Sequence, residues 1–239
     1  MKTFKVMALM LAGLASANAA SAQDNVEASI GADVVSTYVW RGQKLDDAAV
    51  QPTAGISYKG LSLSAWGSYG ITASNPFNEL DLTLAYTTGG FNIGITDFWN
   101  NAANTRYLLY DAHRTGHTWE ANAGYDFGPV ALQWYTIFAG FDGRTHEGKR
   151  AYTSYFELSA PFKLGGLDWS ATVGAVPYNA DGGYYPDEKG EGFAVTNVSL
   201  KATKELKITD SFSVPVYAQI ATNPSMQKAY LVFGFTLQP

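Results

Sequence analysis

Few side chains in this sequence are of the types that carry out chemistry, and their spacing is poor for it. The three histidines are His113, His117 and His146. A histidine beside a serine or a carboxylate can act as a general base, so a hydrolase built on these positions is one reading. Glu120 is the only close carboxylate along the strand from His117, and no spacing ties His117 to a particular serine. Residues 143–149, Gly-Arg-Thr-His-Glu-Gly-Lys, spell a GxxxxGK, but Arg150 stands where a phosphate-binding loop needs Ser or Thr. His146-Glu147 fails as a zinc-protease motif for the same reason, since position 150 would have to be His. Segment 181–192 has four carboxylates among glycines, which could offer oxygens to calcium, but the spacing matches no EF-hand and a solvated turn explains it. There is no cysteine, hence no disulfide framework and no Cys-ligated metal. These residues predict no catalytic site, no metal and no cofactor.

The remaining chemistry is charge, and its placement follows the elements that carry it. The hydrophobic period is two almost throughout, the mark of strands with one apolar face. Leu61, Leu63 and Ala65 form one apolar row, and Leu80, Leu82, Leu84 and Tyr86 another. Similar rows recur to Leu237, and with weaker candidates at 52–58, 91–99 and 130–139 they predict about 12 strands. The first strand is expected over 26–41, with Tyr38 and Trp40 continuing its apolar row. Glu27, Asp33, Arg41, Glu79, Asp81, Glu120, Asp126, Glu157, Asp168 and Lys201 all fall opposite the apolar rows. Asp97 breaks the rule, lying on the row of Phe91, Ile93 and Ile95 near a loop end. A charge at mid-bilayer on a lipid-facing strand costs about 2–4 kcal/mol for Arg or Lys and less for Asp or Glu, which would enforce such segregation.

The ends and connections fit an exported membrane protein. Lys2 and Lys5, the apolar run 6–14 and Ala20-Ser21-Ala22 have the form of a signal peptide over 1–22. The expected mature part, 23–239, then has 14 basic residues, 16 less the two lysines, against 21 acidic ones, a net charge of −7. An acidic chain without a basic cluster argues against nucleic acid as a partner. Short turns at 59–60, 88–90, 127–129, 163–166 and 205–210 alternate with longer polar stretches at 42–51, 73–78, 100–116, 141–151, 177–192 and 221–228. That is the up-and-down pattern of an all-β, antiparallel transmembrane barrel with periplasmic termini. Aromatic residues make up 14% of the chain and gather near strand ends, as in the interfacial girdles of such barrels. Alternation by itself does not say which face points inward. A water-soluble barrel with an apolar interior has the same period.

Ser36, Tyr38, Trp40, Arg41 and Gly42 resemble the S-x-Y-x-[WF]-R-G that opens the TorF (Gcw-chp) family of Gram-negative outer-membrane proteins. Gln51-Pro52, Gly67-Ser68, Glu79 to Leu82 and Gly94 to Asp97 are similar to later segments of that family. The resemblance covers residues 26–99 and implies an outer-membrane location, in contact with its lipid, without defining an activity. Twelve strands enclose a narrow lumen, between barrels filled by side chains and the wide 16–18-stranded porins. Of the ten charged positions expected to line it, eight are acidic, which favours cations in a pore. Three readings are open: a narrow passive channel for small solutes or cations, tuned near its outer mouth by Arg41; a plugged structural or adhesive barrel without conductance; or a hydrolase using rim histidines.

Overall fold

A computed structural model describes residues 25–238 apart from 75, 101–105, 112–113, 146, 180–182 and 186–191. The expected signal peptide, His113, His146 and most of segment 181–192 lie outside the described residues. Among the described residues fourteen strands occur in order: β1 (Glu27–Val35), β2 (Tyr38–Trp40), β3 (Gln43–Asp46), β4 (Ala49–Tyr58), β5 (Leu61–Gly70), β6 (Glu79–Thr88), β7 (Phe91–Asn100), β8 (His117–Asp126), β9 (Ala131–Gly140), β10 (Ser154–Leu164), β11 (Leu167–Asn179), β12 (Gly192–Lys207), β13 (Ser213–Asn223) and β14 (Lys228–Leu237). All except β2 and β3 pair with their neighbours, and β14 returns to β1, so twelve antiparallel strands close an up-and-down barrel. Closure leaves no unpaired sheet edge, the condition for a sheet to sit in lipid.

The structure settles which face is in. Ile30, Ile56, Leu63, Leu84, Ile93, Trp134, Leu158, Val173, Ile220, Leu231 and Phe233 lie on the outer wall around the barrel, each 46–67% exposed. A soluble monomer seldom exposes an apolar patch beyond a few hundred Å². Here the apolar surface encircles the protein, while Asp33, Gln51, Asp81, Asn92, Glu120, Gln133, Glu157 and Asn197 are buried inside. The exterior is therefore built for hydrocarbon and the interior is polar, the reverse of a lipocalin-like barrel.

Two expectations about elements are corrected. The last long stretch, 221–228, shrinks to the turn 224–227, because β13 and β14 stay paired out to Asn223↔Lys228. More consequentially, the strand expected over 26–41 stops at Val35. The apolar alternation fails at Ser36, where the Ser36 amide donates to the Phe233 carbonyl and the Ser36 hydroxyl accepts from the Phe233 amide, ending the ladder. The chain then leaves the wall and forms a separate hairpin, β2–β3, within the connection 36–48. Its turn is Arg41-Gly42, with φ of 48° and 81°. Two successive positive φ values between the paired Trp40 and Gln43 make a type I′ turn, whose twist matches that of a hairpin.

Candidate functional site

The hairpin lies inside the barrel. Its root packs Val39 against Val35, Ala49, Tyr217 and Val232. Tyr38 is buried, donating its hydroxyl to Glu79 (2.9 Å), with its ring against Trp66 (5.7 Å) and Phe77 (6.4 Å). Asp46, on the returning strand, accepts the Phe77 amide at 2.8 Å and so ties the hairpin to the connection before β6. The tip reaches across to β12. A Cβ at Gly42 would stand 1.8 Å from the Thr196 carbonyl oxygen, so only glycine fits there. Thr196 has no pairing partner across the ladder: Gly174 pairs with Asn197 and Ala175 with Val195. That β-bulge brings the β12 backbone against the tip.

Arg41 occupies the centre of the contact at 3% exposure. Its two terminal nitrogens donate to both oxygens of Glu120, at 2.7 and 2.8 Å, the fork-on-fork pairing that guanidinium geometry favours. One of them also donates to the Tyr185 hydroxyl at 2.6 Å. The guanidinium carbon lies 4.5, 4.0 and 4.6 Å from the ring centroids of Trp40, Tyr135 and Tyr155. Tyr185, from the connection between β11 and β12, stacks between Trp40 (5.7 Å, 15°) and Tyr155 (5.5 Å, 9°). Burial pushes the Tyr185 phenol well above its ordinary range, so it remains a neutral hydroxyl facing the cation. A left-handed φ at a non-glycine residue costs about 1–3 kcal/mol, and this clamp holds Arg41 there.

The expected lining residues separate into three groups. Glu79, Asp81, Glu120 and Glu157 surround the hairpin, with Arg41 among them, off the wall but toward the long-connection mouth where Tyr155 and Tyr185 lie. Asp33, accepting from the Thr236 hydroxyl at 2.5 Å, and Lys201, 3.7 Å from the Tyr217 ring centroid, lie on the inner wall, Lys201 bordering the cavity beneath the hairpin tip. Glu27, Asp126 and Asp168 sit at the short-turn end, where Asp168 pairs with Lys163. Of the motif residues, Ser36 is the hairpin's root, Tyr38 and Trp40 point into the lumen instead of continuing the apolar row, and Arg41-Gly42 is the tip. Tyr135, Tyr155 and Tyr185 carry no motif that marks them in the sequence. Tyr155 does share a face with Glu157, opposite the row of Phe156 and Leu158, so its inward direction is readable from the alternation.

Asp97 and His117 form a further buried polar contact. His117 is fully buried, its Nδ1 2.8 Å from Asp97 and its Nε2 2.5 Å from the Tyr107 carbonyl oxygen. Tyr110 stacks on the imidazole at 4.1 Å. The charge expected to break the segregation on β7 is thus covered by residues 107–110. Both ring nitrogens are engaged, so His117 offers no free nitrogen to activate a nucleophile. Its role is to fasten a connection to the wall.

Strand closure, an apolar girdle and a polar lumen holding an inserted hairpin define an up-and-down transmembrane-type β-barrel. No family model and no curated protein matches this chain. Among solved structures it is similar to Salmonella typhi OmpF in complex with daunomycin, with a TM-score of 0.37 and 12% identity over 90% of this chain and 98% of that one. A likeness so distant carries no argument, and the fold rests on the strand pairing.

Proposed function

We propose that this protein is an outer-membrane β-barrel of a Gram-negative bacterium, exported through the signal peptide read at 1–22. In this reading it works as a narrow passive channel held shut at rest by its own first connection. The observation that carries it is the Arg41 clamp. A charged side chain on a strained turn is placed in the lumen and met there by a bidentate carboxylate, a phenol and three rings. Filling a lumen needs no ion pair; apolar residues of similar volume do so at equal or lower free energy. A buried pair on a separate hairpin fits a contact with two states, made when closed and hydrated when open. With the hairpin withdrawn, Asp33, Glu79, Asp81, Glu120 and Glu157 line the passage and favour small cations and polar solutes. The resemblance of 36–42 to the TorF (Gcw-chp) family is consistent with this location, and the hairpin gives that motif a physical role.

The full chain in planar bilayers tests the reading against a version with residues 37–47 replaced by a Gly-Ser linker. The native barrel should be closed with rare brief openings, and the linker version should show steady, cation-favouring conductance. A second reading, a structural barrel without transport, is favoured by how completely the clamp is satisfied. It prevails if the linker version inserts, shows heat-modifiable mobility and still does not conduct.

A further inference from the structure

We infer that the cavity under the hairpin tip is a binding site for a small zwitterion of the amino-acid class, held between Lys201 and Glu157. The inference goes beyond the channel reading and needs only a folded barrel. The cavity, of about 50 Å³, is roofed by Arg41 and Gly42 and walled by β10 to β13. A buried water needs roughly 10–15 Å³, so the space takes on the order of three to five water-sized atoms, the size of the smallest amino acids.

Its wall is a graded ladder. Glu157 pairs with Gly174 and Gly174 with Asn197; Ser159 with Thr172 and Thr172 with Ser199; Ser170 with Lys201 and Lys201 with Gln219. A carboxylate and an amide thus stand at one end, an ammonium and an amide at the other, and short hydroxyl side chains between them leave the room. Asn197 and Lys201 are four residues apart on β12, roughly 13 Å along the strand. Both side chains line the same cavity, the Lys201 ammonium lying against the Tyr217 ring.

The end groups keep unused bonding capacity. Asn197 is 6% exposed, and its buried Oδ1 has no hydrogen-bond donor. Lys201 makes no ion pair among the described residues, its ammonium resting on the Tyr217 ring. Glu157 accepts the Tyr155 hydroxyl on one oxygen, at 2.7 Å. A buried acceptor without a donor is costly, and the Lys201 ammonium has no directly bonded carboxylate. A ligand ammonium on Glu157 and Asn197, with its carboxylate on Lys201, satisfies both at once.

Charge selects the class. Arg41 is neutralised by Glu120, leaving Lys201 and Glu157 as the opposed charges lining the cavity, with Asp33 on the Lys201 side. A lone anion would leave Glu157 unmatched, and a lone cation would leave the Lys201 ammonium unmatched. A dipolar solute with no net charge matches both ends.

The test is calorimetric titration of the full chain in detergent with glycine, sodium acetate, methylammonium chloride and glycerol. Glycine should bind saturably in the millimolar range and the other three at least tenfold more weakly. Lys201→Met and Glu157→Gln should each weaken glycine at least tenfold. Ser199→Leu, which fills the cavity and keeps both charges, should abolish binding while heat-modifiable mobility is retained. The inference is overturned if glycine gives no saturable heat, if acetate, methylammonium or glycerol binds as tightly, or if glycine binds the folded variants unchanged. Because the closed barrel suffices, a barrel that never conducts leaves this result intact, and a conducting one does not supply it.

Discussion

Arg41→Met removes the guanidinium and keeps most of its stem. In the closed barrel it leaves Glu120, 5% exposed, as a buried carboxylate without its cation. Breaking a buried ion pair from one side costs about 3–5 kcal/mol. The cost falls on the closed state, because with the hairpin withdrawn Glu120 faces water. At about 1.4 kcal/mol per tenfold, the ratio of closed to open barrels should drop between roughly 10²- and 10⁴-fold. Loss of the ring contacts, each about 0.5–2 kcal/mol, acts in the same direction. Glu120→Leu alone strands the guanidinium instead and should open the barrel to a similar degree. The double variant Arg41→Met with Glu120→Leu should reclose, since an apolar pair of similar volume replaces a buried ion pair at little cost. Open probability in planar bilayers gives the cycle directly, the coupling being the departure from additivity. Single variants within threefold of the native open probability, alongside a conducting linker version, would refute the clamp as the element that keeps the barrel shut.

Other variants probe separate parts of the structure. Gly42→Ala sets a Cβ 1.8 Å from the Thr196 carbonyl oxygen on a turn at φ 81°, so the tip cannot seat. It should conduct like the linker version while changing no charge. His117→Ala removes the hydrogen bond to the Tyr107 carbonyl and the stacking surface for Tyr110, which together hold residues 107–110 to the wall. An ordinary hydrogen bond contributes about 0.5–1.5 kcal/mol and the lost stacking adds to it, so trypsin should cut after Arg106 or Arg114 several-fold faster. Leu84→Lys puts a charge on the outer wall of β6, where Leu84 is 51% exposed. Stability against guanidinium in lipid vesicles should fall by about 2–4 kcal/mol, and a change under 1 kcal/mol would argue against a lipid-facing position.

The barrel was legible in the sequence because lipid imposes one rule on every residue of a spanning strand. Leu80, Leu82 and Leu84 against Glu79, Asp81 and Thr83 could be read without knowing any contact, and the strand count came from such rows. What could not be read was the departure of a segment from the wall. Tyr38 and Trp40 keep a spacing of two whether they extend β1 outward or line a hairpin within the lumen. Only the lapse at Ser36 and the Arg-Gly pair marked the change, and Arg is an uncommon partner for glycine in a type I′ turn. Asp97 was a second such case. As a lone charge on an apolar row it flagged an exception, but its partners come from residues 107–117, whose folding back leaves no periodic trace. The clamp joins positions 41, 120, 135, 155 and 185 from separate elements. Their proximity is a product of barrel order, not of local pattern.

That order also bears on mechanics. Around the ring β9 is diametrically opposite β1, with β8 and β10 on its two sides. Arg41, rooted on β1 through the hairpin, is held by Glu120 on β8, Tyr135 on β9 and Tyr155 on β10. The hairpin is therefore a strut spanning the full diameter. A hollow ring of strands resists stretching of its hydrogen bonds but flattens readily under lateral pressure from the surrounding bilayer. A transverse brace fixes the distance between opposite walls and keeps the cross-section round. Releasing it would change the outline the barrel presents to lipid, so membrane tension and hairpin position become linked variables.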